Sequence, residues 1–285
     1  MLEDWKEMKK FIVMAALLLV ACSPSAEPTT SPSPSTSAPL QLEVVAYFVA
    51  GTPVGFRLFT ESRSITPDDT YGDSLAADEG LAAVDALLQG RLSPIDDDYT
   101  NLWGKSDLLS YAITSQLITL DIATPNLNVG AEAEMRAIEQ LMWTFAANSE
   151  AYDGQEFEFL VNGEPVESFA GHVDLTAPLS LPEAFESLSN VQLDSEYESA
   201  TLTSPVTFTG EACTFEANVA WKLFSADGTL IESGSTIALE ACPKRSPFEF
   251  EVSISEPDSY EIRVMEYSMK DGSLLARDTK SFTVE

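Results

Sequence analysis

Histidine is almost missing from this sequence: His172, in the stretch FAGHVDL, is the single imidazole in 285 residues. A metal cluster built on several histidines is thereby excluded, and any Ser-His-Asp relay would have to run through that one ring. No Gly-x-Ser-x-Gly elbow, phosphate loop or metal-spaced Cys/His set occurs either. Basic residues are scarce, 15 Lys and Arg against 46 Asp and Glu, for a net charge of −31. A field of that sign repels nucleic acid and anionic lipid headgroups, which argues against both as partners, and it favours solubility. A membrane-length apolar run is absent from the N-terminal region: Phe11 to Ala21 is about half of the roughly 20 residues that a spanning helix needs. No internal repeat is apparent.

What the N-terminus does contain is the layout of a secretory signal. Lys9 and Lys10 give a positive start, a short apolar middle follows, and small residues close it. The residues MLEDWKE ahead of Met8 read as an over-called start, because MKKFIVMAALLLVAC is complete by itself. An ordinary cleaved signal or a buried helix are the plain alternatives. The order Leu19, Val20, Ala21, Cys22 resembles the cleavage motif of a bacterial lipoprotein precursor. The resemblance implies that Cys22 is diacylated on its thiol and becomes the new N-terminus. Two or more acyl chains, at about 0.8 kcal/mol per buried methylene, hold a protein on a bilayer that one chain grips only marginally. Residues 1–21 are then a lipoprotein signal peptide. Residues 22–40 follow as a tether: SPSAEPTTSPSPSTSAP carries no large apolar group and cannot offset the entropy of ordering.

Residues 1–21 hold three charges of each sign (Lys6, Lys9, Lys10; Glu3, Asp4, Glu7), so the mature chain is equally acidic. Beyond Cys22 two cysteines remain, Cys213 and Cys242. In an oxidising compartment they are most simply paired, with two free buried thiols as the alternative. A bridge would close a loop of about 30 residues and stabilise by about 3.5 kcal/mol in the chain-entropy model.

Residues 41–180 read as an α+β unit. LEVVAYFV is an apolar, β-branched run, a strand covered on both faces, and GFRLFTESRSI supplies a second. DEGLAAVDALLQG has helix logic, with acids at the start and Gly90 as the stop. LLSYAITSQ and LITLDIAT are further strands. AEAEMRAIEQLMWTFAAN predicts a longer helix with Met135, Ile138, Leu141, Met142 and Phe145 on one face. The strand EFEFLVNGEPV follows, with a turn at Asn162-Gly163. Interleaved strands and helices make an α/β sandwich. The order VVAYFV, AAVDALLQG, LITLDIAT, and above all EQLMWTFAA followed by FEFLVNGEPV, resembles the GerMN domain of spore germination proteins. Its helix motif falls here on Gln140, Leu141, Met142, Trp143 and Thr144, and its strand and turn on Phe159 to Gly163.

Residues 190–285 change to strict alternation. TFEANVAWKLF puts Phe215, Ala217, Val219, Trp221 and Leu223 on one face and Glu216, Asn218 and Lys222 on the other. FEFEVSI, SYEIRVMEY and SFTVE read likewise, and Asp227-Gly228 and Asp271-Gly272 fit hairpins. Short strands and turns over about 95 residues predict an all-β sandwich. SPVTFTGEACTFEANVAWKLFSADGTLIESG resembles the immunoglobulin-like domain of bacterial spore germination proteins, through Ser204-Pro205, Gly210-x-Ala212, Phe215 to Val219 and Asp227-Gly228. MKDGSLLARDTKSFTVE resembles that family's closing hairpin. Cys213 and Cys242 lie outside the pattern and read as a local staple.

Little chemistry is visible. PDDTYGD and PIDDDYTN offer oxygen ligands for calcium but match no calcium-loop spacing, and no pair among 46 acids stands out for glycoside cleavage. Trp143 and Trp221 sit in apolar patterns and read as core, whereas Trp103, in a loop-like stretch, is the candidate for a surface contact. No catalytic residue, metal or cofactor is assigned. The reading is a non-enzymatic lipoprotein on the extracytoplasmic face of the cell membrane. Its expected partners are the membrane through the lipid anchor, an envelope protein, and cell-wall polymer, with no nucleic acid. A solute- or wall-glycan-binding protein is the alternative, and an envelope hydrolase the weaker one. Fold-level resemblance alone does not make it a sporulation protein.

Overall fold

A computed structural model describes residues 41–67 and 78–285. Cys22, the signal segment, the Ser/Thr/Pro tether and most of PDDTYGD lie outside the described residues.

The apolar run at the start forms β1 (Leu42–Thr52), which pairs antiparallel with β2 (Gly55–Ile65). Leu42, Val44, Ala46, Phe48 and Ala50 enter the first core, while Tyr47 and Val49 enter a smaller cluster with Leu58 and Leu188. Both faces of β1 are therefore covered, as its unbroken hydrophobicity predicts. Helix α1 (Glu79–Leu88) is capped by Asp78, whose carboxylate accepts from the Leu81 N–H at 3.1 Å. Gly80 lets it approach its neighbour: a Cβ there would lie 2.7 Å from the carbonyl oxygen of Phe145. Strands β3 (Leu108–Ile113) and β4 (Leu117–Ile122) pair antiparallel, and α2 (Ala131–Asn148) then carries the chain over to β5 (Glu156–Val161), parallel to β4. A two-residue β6 (Glu164–Pro165) closes the sheet after the Asn162-Gly163 turn, where both residues have positive φ.

The periodicity of α2 misplaces one residue. Met135 is exposed, and the buried stripe begins instead at Glu134, continuing through Ile138, Leu141 and Phe145. Glu134 takes the inward position because its carboxylate accepts from Ser168 Oγ and the N–H groups of Ala170, His172 and Val173 at 2.7–3.3 Å. A buried carboxylate with that many donors is tolerated.

A single helical turn, α3 (Ala184–Ser187), leads into the second layer system. One sheet has the order β12–β9–β7, from β7 (Val191–Leu193), β9 (Val206–Ala212) and β12 (Ser246–Val252). The facing sheet runs β11–β10–β13–β14–β8, from β8 (Ala200–Leu202), β10 (Asn218–Ser225), β11 (Leu230–Ile237), β13 (Ser259–Tyr267) and β14 (Leu274–Val284). Between them Trp221 stacks on Phe250 with ring centres 5.0 Å apart, and Phe208 meets Phe250 and Phe282. An α+β unit followed by an all-β sandwich is the observed fold class.

Phe215 departs from the alternation. Residues 215–217 form a 3-10 turn with positive φ at Glu216 and Ala217, and the strand starts only at Asn218. The turn resets the phase, so Phe215 is 62% exposed while Ala217, Val219, Trp221 and Leu223 stay inside.

Candidate functional site

The sequence-predicted site residues are scattered. Cys213 and Cys242 form a disulfide that ties the β9–β10 connection to the β11–β12 connection. The His172 side chain is exposed, and the residue's role in the fold is its backbone N–H, 2.9 Å from Glu134 Oε2. Trp103 is not a surface residue. It is buried, donates its indole N–H to the Ala137 carbonyl at 2.8 Å and meets Phe169 edge-on. The loop carrying it is tied to the end of α1, where Asn101 donates to the carbonyls of Leu87 and Leu92, and to α2, where Gln140 accepts the Leu102 N–H at 3.3 Å. Trp143 is half-buried against Tyr47, and Trp221 is core. In PIDDDYTN the first acid, Asp96, is already engaged by a cation, and among the described residues no group of three or more potential metal ligands occurs.

That cation is Lys280, 1% exposed, and it joins the two layer systems. Its ammonium donates to Asp96 Oδ2 at 2.6 Å, to Tyr99 Oη at 2.7 Å and to Asp278 Oδ1 at 3.2 Å. Tyr99 donates to Asp278 Oδ1 at 2.7 Å, and the Leu193 N–H reaches Asp278 Oδ2 at 2.8 Å. Asp278 and Lys280 belong to β14, whereas Asp96 and Tyr99 lie between α1 and β3 of the first unit. Burial opposes the charge on Lys280, but the carboxylates of Asp278 and Asp96 overcome it and hold the ammonium above the usual lysine range. Burial raises the Asp278 carboxyl despite Lys280, and burial with the adjacent carboxylates raises the Tyr99 phenol. A second seam runs along β2. Gln192 accepts from the Thr60 N–H at 3.1 Å and donates to its carbonyl at 2.6 Å, and the Ser189 N–H reaches the Leu58 carbonyl at 2.9 Å. The sequence carries a signal for the first seam: the inward alternation Ala276, Asp278, Lys280, Phe282 places two charges where apolar residues belong.

The outward face of the five-stranded sheet carries a different chemistry. Lys222 stands opposite Arg263, and Arg277 opposite Met265, so three cations share one face of a strongly acidic chain. The Arg263 guanidinium lies 4.2 Å from the centre of the Phe224 ring and pairs with Glu261. Beside them opens a groove of about 460 Å³, lined by Phe224, Arg263, Glu261 and the hydroxyls of Ser259, Ser281 and Thr283. Arg263 is already engaged by Glu261 and Phe224, so what the lining offers is hydroxyls and a carboxylate for hydrogen bonds to a polar group.

Among the described residues no helix is long and apolar enough to cross a membrane. Residues 45–167 match the family model described as sporulation and spore germination, and residues 190–273 match the immunoglobulin-like domain of bacterial spore germination. Among solved structures, a candidate lipoprotein from Clostridium perfringens is 22% identical, over 53% of this chain and 93% of that one, with a TM-score of 0.32. The first GerMN domain of the sporulation protein GerM from Bacillus subtilis is 12% identical, over 49% of this chain and 97% of that one, with a TM-score of 0.34. The tandem GerMN domains of that protein are also 12% identical, over 75% and 63%, with a TM-score of 0.36. No curated protein matches the chain.

Proposed function

We propose that this chain, which carries a sporulation and spore germination domain followed by the immunoglobulin-like domain of bacterial spore germination, is a non-enzymatic interaction module of the bacterial cell envelope. In this reading it is anchored through lipid on Cys22 and faces outward from the membrane. The observation that carries it is the joint between the two units: Lys280 and Asp278 of one domain are buried against Asp96 and Tyr99 of the other. A buried charge network of this kind fixes one relative orientation, because displacing either partner would leave an unpaired charge. Two domains held so become one composite surface, which suits recognition of a partner that touches both. The test is recovery of the native protein from membranes. The expected results are an N-terminus at a fatty-acylated Cys22, release only by detergent, and a defined envelope protein after crosslinking. An unacylated N-terminus, or a protein that washes free, overturns the anchoring; the absence of any crosslinked partner overturns the interaction role.

The groove beside Phe224 and Arg263 supports a second reading, in which the chain binds a solute or wall glycan. Thermal-shift screening against wall fragments distinguishes it: a shift abolished by Arg263→Ala supports binding there, and no shift with any fragment rejects it.

A further inference from the structure

The sheet edges of this protein are treated unequally. The outer edge of β1 is satisfied by side chains of α2: Gln140 donates to the Tyr47 carbonyl, Thr144 accepts its N–H, and Asn148 bonds both the N–H and the carbonyl of Val45. Thr100 exchanges two backbone bonds with Val49 further along. The outer edge of β2 is satisfied by Gln192, Ser195 and Ser189. β11 ends the five-stranded sheet and meets the facing sheet only at its end, where the Thr236 hydroxyl donates to the Glu249 carbonyl at 2.7 Å; among the described residues, nothing covers the edge ahead of Thr236 in this way. Ala217 and Ala238 lie opposite one another in the β10–β11 register, and the Ala238 N–H donates to the Ala217 carbonyl at 2.8 Å. Bonded and non-bonded pairs alternate in an antiparallel ladder, so the main-chain groups of Ser233, Ser235 and Ile237 point away from β10. Among the described residues, no hydrogen bond reaches them. One step on, the same row is used: the Leu239 N–H donates to Pro247 of the facing sheet.

The open stretch lacks the usual guards. Its single charge is Glu232, Ser233 and Ser235 are small, and no lysine or proline interrupts it. Ile231, Ile237 and Leu239 are 54%, 64% and 79% exposed. From this we infer that β11 is a docking edge that takes an extended segment of a different protein as a sixth strand. Main-chain bonds to Ser233, Ser235 and Ile237 supply affinity, and aliphatic side chains of the partner cover Ile231 and Ile237. The partner carries Lys or Arg opposite Glu232, in keeping with charge complementarity to a chain of −31. Two copies joined along this edge would bring two chains of −31 together, and that self-repulsion argues for a different protein as the occupant.

The inference rests on the envelope-interaction reading, and the experiment separates the two. A photoreactive amino acid is placed singly at Ser233, Ser235 and Ile237, and as a control at Leu109 and Tyr111 of another edge strand with exposed side chains, β3, in the full-length protein in its native cells. The expected result is crosslinks from the three β11 sites to one segment of another protein, advancing two residues per step. Ser235→Pro removes an outward N–H that β10 does not use, besides fixing φ at that position, and should cut the yield about tenfold, the effect of one hydrogen bond. Ile237→Lys is the second variant should the proline impair folding, judged by an unchanged melting midpoint. Crosslinks confined to β3 overturn the docking edge and leave the interaction reading standing. Crosslinks from β11 to a second copy or to residues 22–40 overturn the named occupant. No crosslink from either edge counts against both, and a yield unchanged in both variants overturns strand addition.

Discussion

The Lys280 ammonium lies 2.6 Å from a carboxylate oxygen of Asp96, a residue 184 positions earlier in the chain. This contact makes the relative placement of the two domains a matter of buried charge as well as apolar area. Lys280→Met leaves Asp96 and Asp278 facing one another without a cation. The expected loss is about 3–5 kcal/mol, the cost of breaking a buried pair by removing one partner. Urea unfolding followed by two probes, one per domain, checks this: a single transition in the native chain should split in the variant. Coincident transitions with an unchanged midpoint would show that the network does not join the domains.

Glu134 predicts acid sensitivity. Burial alone would raise its carboxyl, but the bonds from Ala170, Ser168, His172 and Val173 prevail and hold it below the ordinary glutamate value. A lowered folded-state value means stability that is present above the unfolded value of about 4.3 and is lost as pH falls below it. Glu134→Gln should cost about 1–3 kcal/mol at neutral pH, since several donors lose a charged acceptor. Its stability should also fall less between pH 5 and pH 3, within about one unit either side of that value. Hydrogen exchange at Ala170 and Val173 reports the same loop directly.

Gln140 is expected to matter through Tyr47 rather than through any ligand. Its amide donates to the Tyr47 carbonyl at 2.7 Å, and its oxygen accepts the Leu102 N–H at 3.3 Å. Gln140→Leu keeps the volume and strands both backbone groups, at about 1–3 kcal/mol each before relaxation. Chemical denaturation measures the loss, and faster amide exchange at Leu102 locates it.

Opening the disulfide should weaken the second domain. Cys213 and Cys242 are 29 positions apart, so Cys213→Ser with Cys242→Ser should lose about 3.5 kcal/mol by loop entropy. Denaturation of the double variant, compared with the oxidised protein, checks the value; equal midpoints would refute it.

Gly210→Ala tests the β7–β9 contact. An added Cβ would lie 2.1 Å from the Gln192 carbonyl oxygen and 3.0 Å from the Leu193 Cα, both backbone atoms with little freedom to yield. A loss of about 3 kcal/mol, the upper end for overpacking, is expected in thermal unfolding.

Local signals account for much of this molecule. An unbroken apolar run makes β1 a strand covered on both faces, and Asn162-Gly163 makes a turn because the chain needs positive φ there. The Gln140 and Thr144 spacing is also local, four residues on one helix face, yet its purpose becomes visible only beside β1. Where such signals mislead, a non-local contact has overridden the pattern. Glu134 displaces Met135 from the buried stripe because a distant loop supplies its donors. Trp103 looks like a loop residue and is buried because α2 offers a carbonyl to its indole.

Sequence by itself determined the two-part α+β and all-β order, since hydrophobic period and turn chemistry act over a few residues. Only tertiary structure decided which charges are buried, which strand edges are covered and which edge stays open. Those outcomes depend on groups separated by up to 184 positions, and no local pattern records which pairs the folded chain brings within hydrogen-bonding distance.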